Sequence, residues 1–233
     1  MINKGKVVNY VKNNQKNLWQ QKFGPLNVVI KDQITNEVDL SAVFAKILKI
    51  IPDHFLELVD VVYIGDFDFL REKSVNASYM DGAIYTTNTQ DSDSDLIDDL
   101  VHELSHAVED AYGHFIYDDG SVEREFLGKR NRLKRILVHA DYDVGHVDFT
   151  NPEYDEGFDN LLHRQIGYEK IMSLVPGLFL APYSITSVRE YFARGFEEFY
   201  LGDRIYLKKI CPYINIKLFS LHQKESEEQL NEF

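Results

Sequence analysis

Leu96, Ile97, Leu100, Val101, Leu104, Ala107, Val108 and Ala111 recur at the spacing of one face of a helix, and that helix carries the run His102-Glu103-Leu104-Ser105-His106. Ser92, Asp93, Ser94 and Asp95 offer N-caps, the acidic run from Asp91 to Asp99 suits the positive end of a helix dipole, and Gly113 is the expected stop. Residues four apart on a helix share a face, so His102 and His106 are placed to address one ion together. Glu103 stands one position along, within reach of a water on that ion. Two neutral imidazoles and a neighbouring carboxylate supply two metal ligands and a general base, the smallest set needed for metal-assisted hydrolysis.

A catalytic zinc takes three protein ligands and leaves a position for water, so a further residue is required. The position six residues after His106 is Tyr112, which removes the three-histidine solution. A Glu from a later helix is the other common answer, and two regions offer one. Glu123 and Glu125 open the segment Ser121–Leu127, and Glu190, Glu197 and Glu198 lie in the apolar and aromatic helix Ser187–Tyr200. Glu197, two turns beyond Glu190, reads as a supporting or surface acid.

His102-Glu103-x-x-His106-Ala107-Val108-Glu109-Asp110, followed by Tyr183 and then Glu190-Tyr191-Phe192-Ala193-x-Gly195-Phe196, resembles the catalytic domain of anthrax lethal factor and its relatives, a group that includes clostridial Pro-Pro endopeptidases. The resemblance covers the motif helix and the stretch Tyr183–Phe196, plus an expected edge strand before the motif helix. It implies an α+β, zincin-like fold with a small twisted mixed sheet, an active-site helix and a helical C-terminal half. It also implies Zn2+ held by His102, His106 and Glu190, with Glu103 as base and Tyr183 as donor to the oxyanion. The chain departs from the group in the length of the segment between His106 and Glu190. It departs again at Arg194, where an acid often follows the ligand Glu by one turn.

The 233 residues are expected to form one domain, 1–233, with a sheet-bearing half over 1–113 and a mostly helical half over 114–233. A 44% hydrophobic share is enough for a sizeable core, and a net charge of −13 argues against nucleic acid or an anionic membrane as partner. Cys211 is the only cysteine, so no intrachain disulfide forms and thiolate metal sites are excluded; it reads as a buried small residue. No apolar run follows the first charged residues, so no signal peptide is visible, and no stretch is apolar enough to span a bilayer; synthesis in a cytoplasm is expected. The oligomeric state is not encoded in any pattern here.

Along the chain, Gly5 to Phe23 reads as a helix closed by Gly24-Pro25, and Leu26 to Ile34 as a strand. Asp39 to Ile51 reads as an amphipathic helix and Leu58 to Phe67 as a second strand. Ala77–Tyr79 and Ala83–Thr86 flank a tight turn at Met80-Asp81-Gly82. Gly82 to Thr87, the last strand before the motif helix, is expected to offer its edge to an extended substrate backbone. Ser121 to Val138 reads as a charged helix with Arg130, Arg132, Lys134 and Arg135 on a solvated face. Asp141 to Gly157 reads as an irregular loop whose aspartates miss the calcium-loop spacing. Phe158 to Met172 reads as helix, and Val175 to Pro182 as an apolar loop that covers the cleft. His139, His146 and His163 read as structural, and Gln223 to Phe233 as a fraying acidic tail. These features predict a zinc-dependent endopeptidase acting on a peptide or protein. The alternative is a zinc-bearing, non-proteolytic peptide-binding module of a toxin-like or phage-borne assembly.

Overall fold

Pairing of short strands, more than hydrophobic periodicity, organises the first part of the molecule. The structure, a computed structural model, describes residues 19–231 apart from residue 36, with side chains as far as residue 223. It is an α+β protein whose chain divides into two compact units between Leu104 and Ser105.

The first unit holds a five-stranded mixed sheet of β1 (Trp19–Phe23), β2 (Leu26–Ile30), β3 (Val61–Ile64), β4 (Ala77–Met80) and β5 (Ala83–Thr86) in the order β1-β2-β3-β5-β4. β2, β3 and β5 run parallel, and the two outer pairs are antiparallel. The helix expected to end at Phe23 is therefore a strand over Trp19–Phe23; its part before residue 19 lies outside the described residues. The Gly24-Pro25 turn folds this segment back on β2, and the ladder bonds, rather than buried side chains, hold it. Of its residues only Phe23 is partly buried, stacked on Phe44 at 4.5 Å. The β4–β5 hairpin turns as expected, with Asp81 and Gly82 at φ of 50° and 83°, the two left-handed residues a type I′ turn demands.

Helix α1 (Leu40–Ile50) begins where Asp39 accepts from the amides of Ser41 and Ala42, and it buries Val43, Phe44 and Ile47. Phe44 and Ile47 line one interior with Leu26, Val62 and Ile84 of the sheet, together with Leu56 of α2 (Asp53–Leu56). On the opposite face of the sheet Tyr63, Tyr85 and Met80 pack with Phe67 and with Leu70 of α3 (Asp68–Lys73). β5 is paired on both sides, so the expected free edge at Gly82–Thr87 is corrected. Among the described residues, the free edge at that end of the sheet is β4.

The motif helix α4 (Asp93–Tyr117) passes through the division between the units. It does not stop at Gly113; Tyr112 breaks the helical geometry (φ −117°, ψ 15°) and the chain then winds on to Tyr117. Leu96, Ile97, Leu100, Val101 and Leu104 are buried as the spacing predicts, and Leu100 and Leu104 line the same interior as Val62 and Ile84.

The second unit continues through α5 (Ser121–His139), α6 (Glu156–Asn160), a π-helical turn (Leu161–Ile166), α7 (Tyr168–Leu174), a 3-10 turn (Tyr183–Ile185), α8 (Val188–Tyr200), α9 (Arg204–Ile210) and α10 (Pro212–Asn231). Its core is Phe126, Leu133, Phe158, Phe179, Tyr191, Phe192, Phe196, Ile214 and Leu218. Gly195 lets α8 and α10 touch: a Cβ there would fall 2.4 Å from the Ile214 side chain. The helix expected over Phe158–Met172 is interrupted at Gly167, whose φ is 91°. Phe179, in the loop expected to cover a cleft, is instead buried against Tyr191.

Arg130 corrects the solvated-face reading of α5, because it is 0% exposed. Its guanidinium lies over the Phe158 ring at 3.7 Å and its Nη1 donates to the Asn151 carbonyl, so aromatic faces replace part of its hydration. Arg132, Lys134 and Arg135 are exposed as expected. Cys211 is buried, and burial pushes its thiol up to about 11.

Candidate metal centre

Ser92 starts α4 by accepting the Asp95 amide on Oγ at 3.3 Å, and the helix then carries His102 and His106 one turn apart. Glu190 stands in the first turn of α8, where Ser187 caps the helix by accepting the Glu190 amide at 3.1 Å. The amide of Val188 donates to the Pro152 carbonyl at 2.8 Å, which ties this helix start to the preceding loop. A carboxylate at a helix N-terminus is favoured by the helix dipole. His106 Nε2 faces Glu190 Oε1 at 3.9 Å. His102, His106 and Glu190 each present one ligand atom, and these atoms lie within 4.8 Å of one another.

All three side chains are half-buried. Two imidazoles and one carboxylate at this spacing can hold a divalent transition metal, and they form the only such group of three among the described residues. The other expected alternatives are engaged elsewhere. Glu125 accepts from the Tyr191 hydroxyl at 2.7 Å and from the Tyr213 amide at 3.2 Å, and Glu123 is exposed on α5. Glu197 is buried and pairs with Arg194. Asp141, Asp143 and Asp148 form no cation-holding group among the described residues. His139, His146 and His163 are exposed, with His163 stacked on Tyr168.

Glu103 is buried, and its Oε2 accepts the amide of Tyr79 at 2.5 Å. In the β4–β5 ladder the Thr87 amide donates to the Asn76 carbonyl, so the bonded pairs continue at Ser78–Tyr85 and Met80–Ala83. Tyr79 is out of phase with them and turns its amide to the free edge, where Glu103 takes it. Tyr183 is 45% exposed in the 3-10 turn before α8, and its carbonyl accepts from the Thr186 amide and hydroxyl.

Several groups around the triad carry no signature in the linear motif. Glu109 is 6% exposed. Its Oε2 meets His106 Nδ1 at 3.4 Å and accepts from Arg189 Nε at 2.7 Å, and its Oε1 accepts from the Tyr117 hydroxyl. Burial alone would raise the Glu109 carboxyl, but the bonds from His106, Tyr117 and Arg189 outweigh it and hold the group below the usual range. Burial, and then the Glu109 charge, pushes the Tyr117 hydroxyl well up. The place of Glu109 three residues after His106 was the one available hint.

Asp99, one turn before Glu103, accepts from Gln90 Nε2 at 2.9 Å. Burial pushes its carboxyl from 3.8 up to about 6, against the Gln90 bond and with help from the Glu103 charge. The metal-free native state thus keeps a proton that the unfolded chain has released. The corresponding stability is fully present below pH 3.8 and is lost as pH rises through about 6. Asp99→Asn should remove that loss. Between about pH 4 and pH 8 the metal-free wild type is expected to lose about 2–3 kcal/mol more than the variant, as read from urea midpoints.

Among the described residues no helix is long and apolar enough to cross a membrane. No family model matches the chain, and no curated protein and no solved structure matches it either.

Proposed function

We propose that this chain is a zinc-dependent endopeptidase of zincin-like fold, akin to the lethal factor group. The observation that carries the reading is the convergence of His102, His106 and Glu190, two from one helix and one from a helix some eighty residues on, with the buried carboxylate of Glu103 next to His102. His102, His106 and Glu190 would hold the ion. When bound, zinc supplies a positive charge that acidifies a water and draws electron density from a carbonyl oxygen.

The remaining work falls to side chains and backbone. Glu103 takes the proton of the attacking water and returns it to the leaving amine. The Tyr79 amide fixes one oxygen of that carboxylate. Tyr183 donates to the oxygen on which charge develops. An extended peptide pairs with the part of the β4 edge that Glu103 does not occupy, where backbone bonds give affinity without demanding a particular sequence.

Incubation of the zinc-loaded protein with a mixed peptide library, followed by mass spectrometry, tests this reading. Cleavage that stops with a chelator and returns with added zinc is the expected result. Peptides retained but left intact would identify a non-proteolytic binding module instead.

A further inference from the structure

The Glu109 carboxylate touches the ligand set from two directions. Its Oε2 faces Nδ1 of His106, while Nε2 of the same ring faces Glu190. That oxygen also accepts from Arg189 Nε, and Arg189 is the residue directly before Glu190 in α8. The second oxygen accepts from the Tyr117 hydroxyl, which lies beyond the break at Tyr112. One buried carboxylate therefore joins the helix of His106 to the helix turn of Glu190.

We propose that Glu109, held by Arg189 and Tyr117, is the positioning residue of the metal site. It keeps the proton of His106 on Nδ1, so that the Nε2 lone pair points toward Glu190, and it clamps the first turn of α8 against α4. The proposal rests on the metal-binding reading of the triad and adds to it the device that sets the triad's geometry. The distances rank the two effects. Arg189 at 2.7 Å makes a full charge-assisted bond, whereas the His106 contact at 3.4 Å is long. The clamp on α8 is the stronger arm and the orientation of the imidazole the weaker one. A carboxylate behind a ligating imidazole raises ligand basicity and fixes its tautomer, and losing such a partner costs roughly 10–100-fold in metal affinity.

The test is the zinc dissociation constant, measured by competition with a chromophoric chelator for the wild type, Glu109→Ala, Glu109→Gln and Arg189→Met. Glu109→Ala should bind zinc roughly 10–100-fold more weakly. Glu109→Gln keeps an oxygen toward His106 and Arg189 and should recover most of that loss. Arg189→Met should fall between wild type and Glu109→Ala. A Glu109→Ala constant within twofold of wild type overturns the proposal and leaves the peptidase reading intact. Wild-type protein that takes up no zinc overturns both.

A measurement on the unaltered protein keeps the test decisive if Glu109→Ala does not fold. Long-range 15N–1H correlation of the metal-free wild type reports the neutral His106 tautomer. Protonation on Nδ1 is expected, and protonation on Nε2 overturns the proposal.

Discussion

Glu103→Gln is expected to keep its zinc and to lose about 10²–10⁴-fold in kcat, the range by which a positioned general base accelerates proton transfer. The amide replacement has the same shape, and its oxygen can still accept from the Tyr79 amide, so the local fold and the Glu103–β4 contact survive. What disappears is the capacity to take a proton. Glu103 belongs to none of the three ligand positions, so zinc affinity should stay within a few-fold of wild type. Turnover by single-substrate kinetics and metal content by elemental analysis read the two quantities separately. Full activity in the variant would remove Glu103 from the chemistry.

His106→Ala is expected to abolish stoichiometric zinc binding, and activity with it. The side chain is both a ligand candidate facing Glu190 and a partner of Glu109, so its removal takes away one of three donors and one contact of a buried carboxylate. The affinity loss should exceed the roughly 10–100-fold that an outer partner costs. The Arg189 and Tyr117 bonds to Glu109 remain, so the metal-free fold should persist. Circular dichroism without metal should then match wild type while zinc uptake is lost. Wild-type zinc affinity in this variant would show that the metal is held elsewhere.

The two variants also separate steps that the linear motif leaves merged. The spacing of His102 and His106 on an amphipathic helix was legible because a helix fixes geometry over four residues. Glu190 was not legible in that way. Residue patterns left Glu123 and Glu125 open, and only the resemblance of Tyr183–Phe196 to a known family singled out Glu190. Glu109 was in plain view three residues after His106, but its part depends on Arg189, 80 residues away, and no local pattern carries that information.

The fold divides along the same line. α1, the β4–β5 turn and α5 follow from capping, periodicity and turn chemistry. Trp19–Phe23 did not follow, because an exposed strand has no apolar alternation to reveal it and exists only through its ladder with β2. The free edge falls on β4 and not on β5, and the hairpin alone does not reveal this because sheet order is non-local: a hairpin reads the same whichever of its strands inserts next to β3. Arg130 looked like one more charge on a basic helix until the rings of Phe158 and Phe126 closed over it.

The central claim is that His102, His106 and Glu190 bind one ion together. Anomalous diffraction at the zinc edge, from crystals of the zinc-loaded protein, tests it most directly. The expected result is one peak per chain, bonded by one imidazole nitrogen from each of His102 and His106 and by a Glu190 carboxylate oxygen at about 2.0–2.2 Å. A peak held by other residues, or a Glu190 side chain turned away from the two imidazoles with no acid in its place, would contradict it.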